Sequence, residues 1–193
     1  MFTSRAAHGV VEKSLIKGKS EQISLSAFSY LFSELVQYFQ AQVSNVGELE
    51  RRLEGAGRGI GLRLLELLVY RERSGRRDLR LLDALRFVHS TLWKYLFGRA
   101  AQDLEQSNTA EDEYMISDAD IFVTKFISVP KEMGHLNCAA FVAGIVGGVL
   151  DGAGFPSRVT AHYVPVPGQA RQKTTLLIKV DPSVLEREKS MAA

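Results

Sequence analysis

The spacing of apolar residues near the start of the chain predicts a helix with a wide apolar face. Over residues 24–43, large apolar side chains recur three or four positions apart and form one stripe. Ala27, Leu31 and Tyr38 widen this stripe toward half of the helix circumference. A helix on the surface of a monomer buries a stripe only somewhat wider than about 100°. The excess apolar surface therefore predicts contact with something other than water.

A second predicted helix, residues 48–72, is apolar on two faces. Gly55, Gly57, Gly59 and Gly61 interrupt it, and each weakens a helix by about 1 kcal/mol relative to alanine. Their missing side chains would allow another backbone to approach closely. The main apolar stripe consists of Leu49, Leu53, Ala56, Ile60, Leu64 and Leu67, and the opposite stripe consists of Leu62, Leu65 and Val69.

The rest of the chain passes irregularly between helix and strand patterns. Two stretches are ambiguous, because residues 101–106 could be a strand or the end of a third helix and residues 121–129 a strand or a short helix. Since strands and helices do not alternate regularly, an α+β fold is favoured over a doubly wound parallel sheet. The other predicted elements are a third helix (79–97) ended by Gly98, a strand (114–117), a buried helix (136–151), two strands (158–165 and 174–180) and a last helix (183–189) that follows Asp181 and Pro182.

Length and composition limit the class of protein. The 193 residues fit a single domain, residues 21–193, preceded by a loose polar arm of residues 1–20. A net charge of +2 is too balanced to indicate a nucleic-acid-binding protein. The single cysteine, Cys138, cannot form an internal disulfide bond, which favours a reducing compartment. The longest uncharged run, residues 136–150, is shorter than the roughly 20 residues that span a bilayer, so we expect any membrane contact to be peripheral.

Candidate chemistry is sparse. Cys138 could be a nucleophile with His162 as its base, but a cysteine on a charge-free helix is more often an inert core residue. The glycines of the second helix lack the lysine and hydroxyl residue of a phosphate-binding loop, which favours close helix packing. The four histidines have no metal-ligand spacing. The residues therefore predict no catalytic, cofactor or metal site.

Three further features each allow a structural and a functional interpretation. Gly144, Gly147 and Gly148 could pack against another element or leave room for an acyl chain. Trp93 could lie at the rim of the core or anchor a neighbouring subunit. The arginines between positions 71 and 80 could contact anionic lipid or an acidic partner, or belong to a solvated loop. The sequence leaves these alternatives open.

Three segments match one known family in the same order. The first is SLSAFSYLFSELVQY (24–38), and the second fits the pattern G-x-x-I-G-x-R-L-x-E from Gly57 to Glu66. The third is FISVPKEMGHLNCAAFVAGIVGGVLDGAGFP (126–156), followed by VTAH. Together they resemble the Bet-three family of the transport protein particle, TRAPP, over roughly residues 20–181.

The resemblance implies helices packed on one side of a small twisted antiparallel sheet. Because family members pair through their first two helices, it implies a heterodimer with the Bet-three subunit, placed next to the sedlin-like subunit and other core subunits. It also implies that the assembled particle is a guanine nucleotide exchange factor for a Rab GTPase in transport from the endoplasmic reticulum to the Golgi. The chain itself would be a non-enzymatic scaffold, cytoplasmic and peripherally associated with endoplasmic reticulum and cis-Golgi membranes.

One position departs from the family pattern. The Bet-three subunit carries a fatty acyl chain on a cysteine that follows a Gly-Arg pair, whereas Arg77 follows Gly75 and Arg76 here. Arginine cannot form that thioester, so acylation is not implied at this position. The alternative function is an apolar-ligand or acyl-chain-binding module with a cavity between its helices.

The predicted partner surface combines the apolar stripes of the first two helices. Some of these residues must face the core of the chain itself, and the helical period does not assign the sides. Burial in an obligate pair would contribute about 25 cal/mol per Å² before the costs of association. The predicted surface consists of Phe28, Leu31, Phe32, Leu35 and Phe39 of the first helix and Leu49, Leu53, Ile60 and Leu64 of the second.

Overall fold

The described part of the chain consists of helices packed on a four-stranded sheet. The computed structural model describes residues 24–72, 79–125, 127–129, 133–165 and 172–192. The predicted arm, residues 1–20, lies outside this part. The helices are α1 (Leu25–Gln40), α2 (Val46–Glu72), α3 (Leu81–Phe87), α4 (Trp93–Phe97), α5 (Phe122–Lys125), α6 (Ala140–Ala153) and α7 (Pro182–Ala192), and the strands are β1 (Asp103–Gln106), β2 (Glu113–Asp118), β3 (Ser157–Val164) and β4 (Lys173–Val180).

The sheet is antiparallel and has the strand order β1-β2-β4-β3. In the central pair of strands, Tyr114 lies opposite Ile178 and Ile116 lies opposite Leu176. All four residues are buried, as expected for alternate positions on the core-facing side of a sheet. The predicted α+β fold, with helices on one side of an antiparallel sheet, is confirmed.

Helix α6 lies at the centre of the core. Its residues 140–150 are all buried, and the helix contacts both α2 and β3. This segment contains no charged side chain, so it can be buried on every side. The predicted buried helix is therefore confirmed, although its α-helical turns begin at Ala140 and it ends at Gly154, which has the left-handed φ of 85°.

Four glycines allow α2 and α6 to cross closely. Gly57 and Gly61 face the backbone of α6, while Gly144 and Gly148 face the backbone of α2. A Cβ atom on Gly57 would overlap the carbonyl oxygen of Phe141 and would lie in the same space as the α6 backbone. On each helix the two glycines are four residues apart and therefore lie on one face. This confirms the predicted close packing at these positions.

The buried face of α2 differs from the predicted stripe. Leu49 and Leu53 are fully buried, but the next buried positions are Gly57 and Gly61. Ile60, which the pattern placed in the same stripe, is 39% exposed. The pattern followed the large residues, and glycine gives no hydrophobic signal. The predicted stripe therefore included Ile60 and missed Gly57 and Gly61, which contact α6.

Helices α3 and α4 are joined into one rod by a π-helical segment, Val88–Leu92. The carbonyl oxygen of His89, within this segment, accepts a hydrogen bond of 3.0 Å from the amide of Ala101. Gly98 adopts a left-handed φ of 77° and ends the rod, as the sequence predicts. The π segment was not predicted, because an apolar spacing of three or four residues does not distinguish a π turn from an α turn.

The structure resolves both ambiguous stretches. Residues 103–106 form the edge strand β1, and residues 122–125 form the short helix α5. The last helix is present but longer than the predicted 183–189, because it begins at Pro182 and ends at Ala192. The Asp181 carboxylate accepts a 3.0 Å hydrogen bond from the amide of Ser183. Residues 130–132 and 166–171, which connect predicted elements, lie outside the described residues.

Candidate interaction surface

The inner face of α1 is aromatic and packs on the core. The Phe28 ring makes an edge contact with the Phe122 ring at a centroid distance of 4.9 Å. The Phe32 ring lies 5.2 Å from the Phe141 ring of α6. Val36, one turn after Phe32, is also buried. These contacts hold α1 against α5 and α6, so its opposite side faces outward.

The outer face of α1 is apolar and almost uncharged. Leu31 is 71% exposed and Tyr38 is 62% exposed, and their spacing of seven residues places them on the same side of the helix. Tyr30 is 76% exposed on the neighbouring side. Glu34 is the only charged residue between Leu25 and Gln40. A surface helix of a monomer normally carries polar and charged residues on this side.

Helix α2 also exposes large apolar residues. Ile60 lies beside the half-buried Leu64, toward the core edge of the helix. Leu62 and Val69, seven residues apart, share another side, and Tyr70 follows Val69. We call the exposed apolar residues of the two helices the outward apolar surface. It consists of Leu25, Tyr30, Leu31 and Tyr38 of α1 and Ile60, Leu62, Val69 and Tyr70 of α2.

The structure divides the nine predicted partner residues into three groups. Leu31 and Ile60 are exposed and belong to the outward apolar surface. A partner cannot reach Phe32, Leu49 and Leu53 in this conformation, because they lie in the core of the chain itself. The four half-buried members packed against the core are Phe28, Leu35, Phe39 and Leu64.

Six residues of the outward apolar surface lie outside the predicted partner surface: Leu25, Tyr30, Tyr38, Leu62, Val69 and Tyr70. Tyr30, Tyr38 and Tyr70 are each more than half exposed in the structure. Tyr30 lies outside the main stripe of α1, which is why periodicity did not select it. The scarcity of charge along α1 is the signal that could have identified its outer face, since Glu34 alone interrupts it.

Cys138 has the environment of an inert core cysteine. It is 2% exposed, and burial, followed by the nearby charge of Glu50, raises the pKa of its thiol to about 11. The thiol is therefore protonated at neutral pH, whereas a nucleophilic cysteine acts as the thiolate. His162, the suggested base, lies on β3 and shares a 2.8 Å hydrogen bond with Thr160. The nucleophile hypothesis gains no support from this geometry.

Trp93 is a core residue and not a subunit anchor. It is fully buried, and its Nε1 donates a 2.8 Å hydrogen bond to the carboxylate of Asp118. Arg99 donates two further hydrogen bonds to the same carboxylate, of 2.6 and 2.7 Å. Burial alone would raise the pKa of Asp118, but hydrogen bonds from Arg99, the amide of Asp120 and Trp93 outweigh it and hold the pKa below its usual range.

The small-residue surface of α6 is filled by protein. Gly144 and Gly148 lie against the α2 backbone, and a Cβ on Gly147 would lie 3.7 Å from Val159 of β3. An acyl chain therefore has no room at this crossing. The packing interpretation of these glycines is confirmed, and the apolar-ligand alternative loses the feature that suggested it.

The ends of the arginine-rich connection are held by other elements. Arg71 donates a 3.1 Å hydrogen bond to the hydroxyl of Tyr95, and Arg80 lies 3.5 Å from the carboxylate of Glu188. The connection itself, residues 73–78, lies outside the described residues. Within the described part of the chain, no cluster of three or more potential metal ligands occurs. None of the helices described here is both long enough and apolar enough to cross a membrane.

A solved structure shares the fold of this chain. It is the crystal structure of a trafficking protein particle complex subunit 3 from Naegleria fowleri covalently bound to palmitic acid. The two superpose with a TM-score of 0.64 over 80% of this chain and 93% of that chain, at 18% sequence identity. At this identity the likeness concerns the fold alone, and it defines the chain as a Bet-three-like α+β domain.

The chain belongs to the TRAPP component family, whose model, described as transport protein particle (TRAPP) component, matches residues 28–181. Trafficking protein particle complex subunit 5 of Dictyostelium discoideum is 52% identical over 95% of this chain and 98% of its own length. Subunit 5 of Homo sapiens is 43% identical over 97% and 96%, and subunit 31 of Saccharomyces cerevisiae is 32% identical over 88% and 80%. The resemblance seen in the three segments is confirmed, and within the family it points to the branch of subunit 5.

Proposed function

We propose that this chain is a non-enzymatic adaptor subunit of a TRAPP complex that pairs with the Bet-three subunit through the outward apolar surface. The observation that carries the proposal is the outer face of α1. Leu31 and Tyr38 are mostly exposed there, and Glu34 is the only charged residue of the helix. Family membership supplies the kind of assembly in which such a face would be covered.

Burial of apolar area supplies the physical basis for this pairing. Each Å² of apolar surface removed from water contributes about 25 cal/mol before the costs of association are subtracted. Aromatic residues such as Tyr30 and Tyr38 are frequent among the residues that dominate binding energy. The inner residues of α1, such as Phe32, would keep the helix rigid and so reduce the entropy lost on association.

The wider function follows from the assembly rather than from the chain alone. In this proposal the complete complex is a nucleotide exchange factor for a Rab GTPase in transport from the endoplasmic reticulum to the Golgi. The chain contributes a scaffold next to a sedlin-like subunit and other core subunits, and it does not perform the exchange chemistry. It works on the cytoplasmic side of these membranes and associates with them peripherally.

Co-expression with the Bet-three subunit tests the pairing. We expect the wild-type chain to elute with that subunit as a stable heterodimer. The double variant Leu31→Glu, Tyr38→Glu places two charges in the interface and should weaken pairing by at least about 2 kcal/mol, or roughly thirtyfold. Val164→Glu is the matched control, because it charges a 42% exposed apolar residue on β3, away from α1.

Two results would contradict the proposal. One is a wild-type chain that remains monomeric in the presence of the Bet-three subunit. The other is a doubly charged variant that is folded and pairs as tightly as the Val164→Glu control. Circular dichroism of each purified variant establishes that the charged chain has kept its secondary structure.

A further inference from the structure

A charged cleft lies beside the first half of α2, away from the core crossing. It has a volume of about 690 Å³ and is bordered by α2, the end of α6, the start of β3, the end of β4 and the start of α7. Its walls carry four cationic and three acidic side chains. These seven charged side chains distinguish the cleft from the outer face of α1 and fit a ligand that carries charge.

Most of the charges in the cleft already have partners in the chain. Arg58 forms an ion pair with Asp151 across the α2–α6 contact. Lys179 lies 3.2 Å from Glu113 and 3.6 Å from Asp112. The third acidic group, Asp181, accepts hydrogen bonds from the amide and hydroxyl of Ser183, which lower its pKa. These groups are satisfied without a ligand.

Two cations and one acid of the cleft have no ionic partner among the described residues. The Arg51 Nε donates only to the carbonyl oxygen of Gly47, at 3.3 Å, and the Arg158 side chain has no hydrogen bond or ion pair there. Glu54 is likewise without a side-chain partner in the described part of the chain. The cleft thus offers two free cations and one free anion.

Gly55 keeps the cleft open. A Cβ atom added to this residue would have no atom within 4 Å, so no packing contact within this chain requires glycine at this position. In a helix interior, glycine costs about 1 kcal/mol relative to alanine. An ordinary side chain at this position would project into the space that a ligand would occupy.

We propose that this cleft binds an extended acidic peptide segment of another polypeptide. Carboxylates of the segment pair with Arg51 and Arg158, and its backbone N–H groups donate to Glu54. A compact anion such as phosphate fits less well, because Glu54 would repel it. The pairing of α1 with a second subunit is not required for this binding, since none of the outward apolar residues borders the cleft.

No segment outside the described residues is acidic. Residues 1–23 contain four lysines or arginines and two glutamates, residues 73–78 contain three arginines and one aspartate, residues 130–132 contain one lysine and one glutamate, and residues 166–171 contain one arginine. None of these segments carries a net negative charge, so none complements the two free arginines. Charge complementarity therefore favours an acidic segment supplied in trans.

Fluorescence anisotropy of a labelled peptide tests the proposal. The probe is a fluorescein-labelled peptide of three Gly-Glu-Ser-Asp repeats, titrated with the full chain purified together with its partner subunit. The control peptide replaces every acidic residue by lysine. We expect the acidic peptide to bind, the lysine peptide not to bind, and inorganic phosphate not to displace the acidic peptide.

Two independent variants remove the site by different means. Arg51→Glu, Arg158→Glu reverses the free charges and should weaken peptide binding at least about tenfold. The charge control, Arg52→Glu, Arg63→Glu, changes exposed arginines of α2 that do not border the cleft and should leave binding unchanged. Gly55→Trp fills the cleft without altering its charge and should abolish binding, whereas Gly55→Ala leaves it open and should bind as the wild type does.

The proposal is overturned if the wild-type complex does not bind the acidic peptide at any attainable concentration. It is also overturned if the lysine peptide binds equally well, or if phosphate competes, since the site would then recognise small anions. Unchanged binding by Gly55→Trp or by the double arginine variant would place the peptide elsewhere. Thermal unfolding of each complex shows that the variants are folded.

Discussion

The two sides of α2 contain the same kind of residue in different surroundings. Gly57 faces α6, and its missing side chain is explained by the α6 backbone that occupies the space. Gly59, two residues later, faces outward, and no atom lies within 4 Å of the Cβ position. The cost of glycine in a helix is similar at both positions. Only at Gly57 does a contact within this chain offset that cost.

Helix α1 shows the same division between its two faces. Phe28 and Phe32 pack on aromatic rings of the core, whereas Leu31, between them in sequence, is exposed. The inner faces of α1 and α2 therefore determine whether the chain folds. We expect the outer faces to contribute less to folding and to serve association. This difference predicts that stability and association can be changed separately by mutation.

The largest expected loss of stability comes from the helix crossing. Gly57→Ala places a Cβ atom against the backbone of α6, which cannot move away as a side chain can. The two helices must separate, and we expect the free energy of unfolding to fall by about 3 kcal/mol. Urea unfolding followed by the fluorescence of Trp93, the only tryptophan and a buried one, measures this loss.

Gly144→Ala, on the opposite helix, should have a similar cost because its Cβ would overlap the α2 backbone. The combined variant tests whether both glycines act in one contact, since their effects should then not be additive. An unchanged unfolding curve for Gly57→Ala would mean that the two helices are not in close contact in solution.

A smaller loss is expected from the buried carboxylate that joins α4 to the sheet. Asp118→Asn keeps the shape of the side chain but removes the charge that binds Arg99 and Trp93. Because Arg99 is partly exposed and can be solvated, we expect a loss of about 2 kcal/mol at neutral pH, less than for a fully buried pair. Circular dichroism during urea unfolding avoids the direct effect of the substitution on Trp93 fluorescence.

The effect of Asp118 should depend on pH in a defined direction. Its pKa in the folded chain is held below the ordinary value of 3.8, so the carboxylate stabilises the fold fully above that value. As the pH falls through the depressed pKa, this contribution is lost, and the wild-type and Asp118→Asn curves should converge. A stability difference between the wild type and Asp118→Asn that persists into strong acid would contradict this account.

An exposed ion pair provides the comparison for Asp118. Asp83→Asn removes the ion pair with Arg86 and should lower the free energy of unfolding by less than about 0.5 kcal/mol at neutral pH.

The sequence predicted those parts of the fold in which local signals agree with tertiary contacts. Helix α6 was found because its buried run lacks charge, and the ends at Gly98 and Gly154 were found because glycine favours left-handed backbone. The contact between α2 and α6 was only partly predicted. Glycine can indicate close approach, but it does not identify the partner element, so Ile60 was assigned to the buried stripe.

Side-chain networks between distant residues could not be predicted from the sequence. Arg99 and Asp118 are 19 positions apart, and no short motif indicates that they meet. The charged cleft is formed from three stretches of the chain, residues 51–58, 151–158 and 179–182, and these residues gave no common pattern. For the outward apolar surface, periodicity selected Leu31 and Ile60 together with core residues such as Leu53. Only the three-dimensional structure separates these two sets.

The smallest expected effect is a gain in stability at the outward glycine of α2. Gly59→Ala adds a methyl group where no atom lies within 4 Å, and alanine favours the helix over glycine. We expect the free energy of unfolding of the chain to rise by up to about 1 kcal/mol, opposite in sign to Gly57→Ala. The two variants introduce the same methyl group into the same helix, so the difference between their effects on the free energy of unfolding reports the surroundings of the two faces. If Gly59→Ala lowered the stability of the unpaired chain, this side of α2 would already contact another part of the molecule. The distinction between an inner face that stabilises the fold and an outer face that serves association would then be wrong.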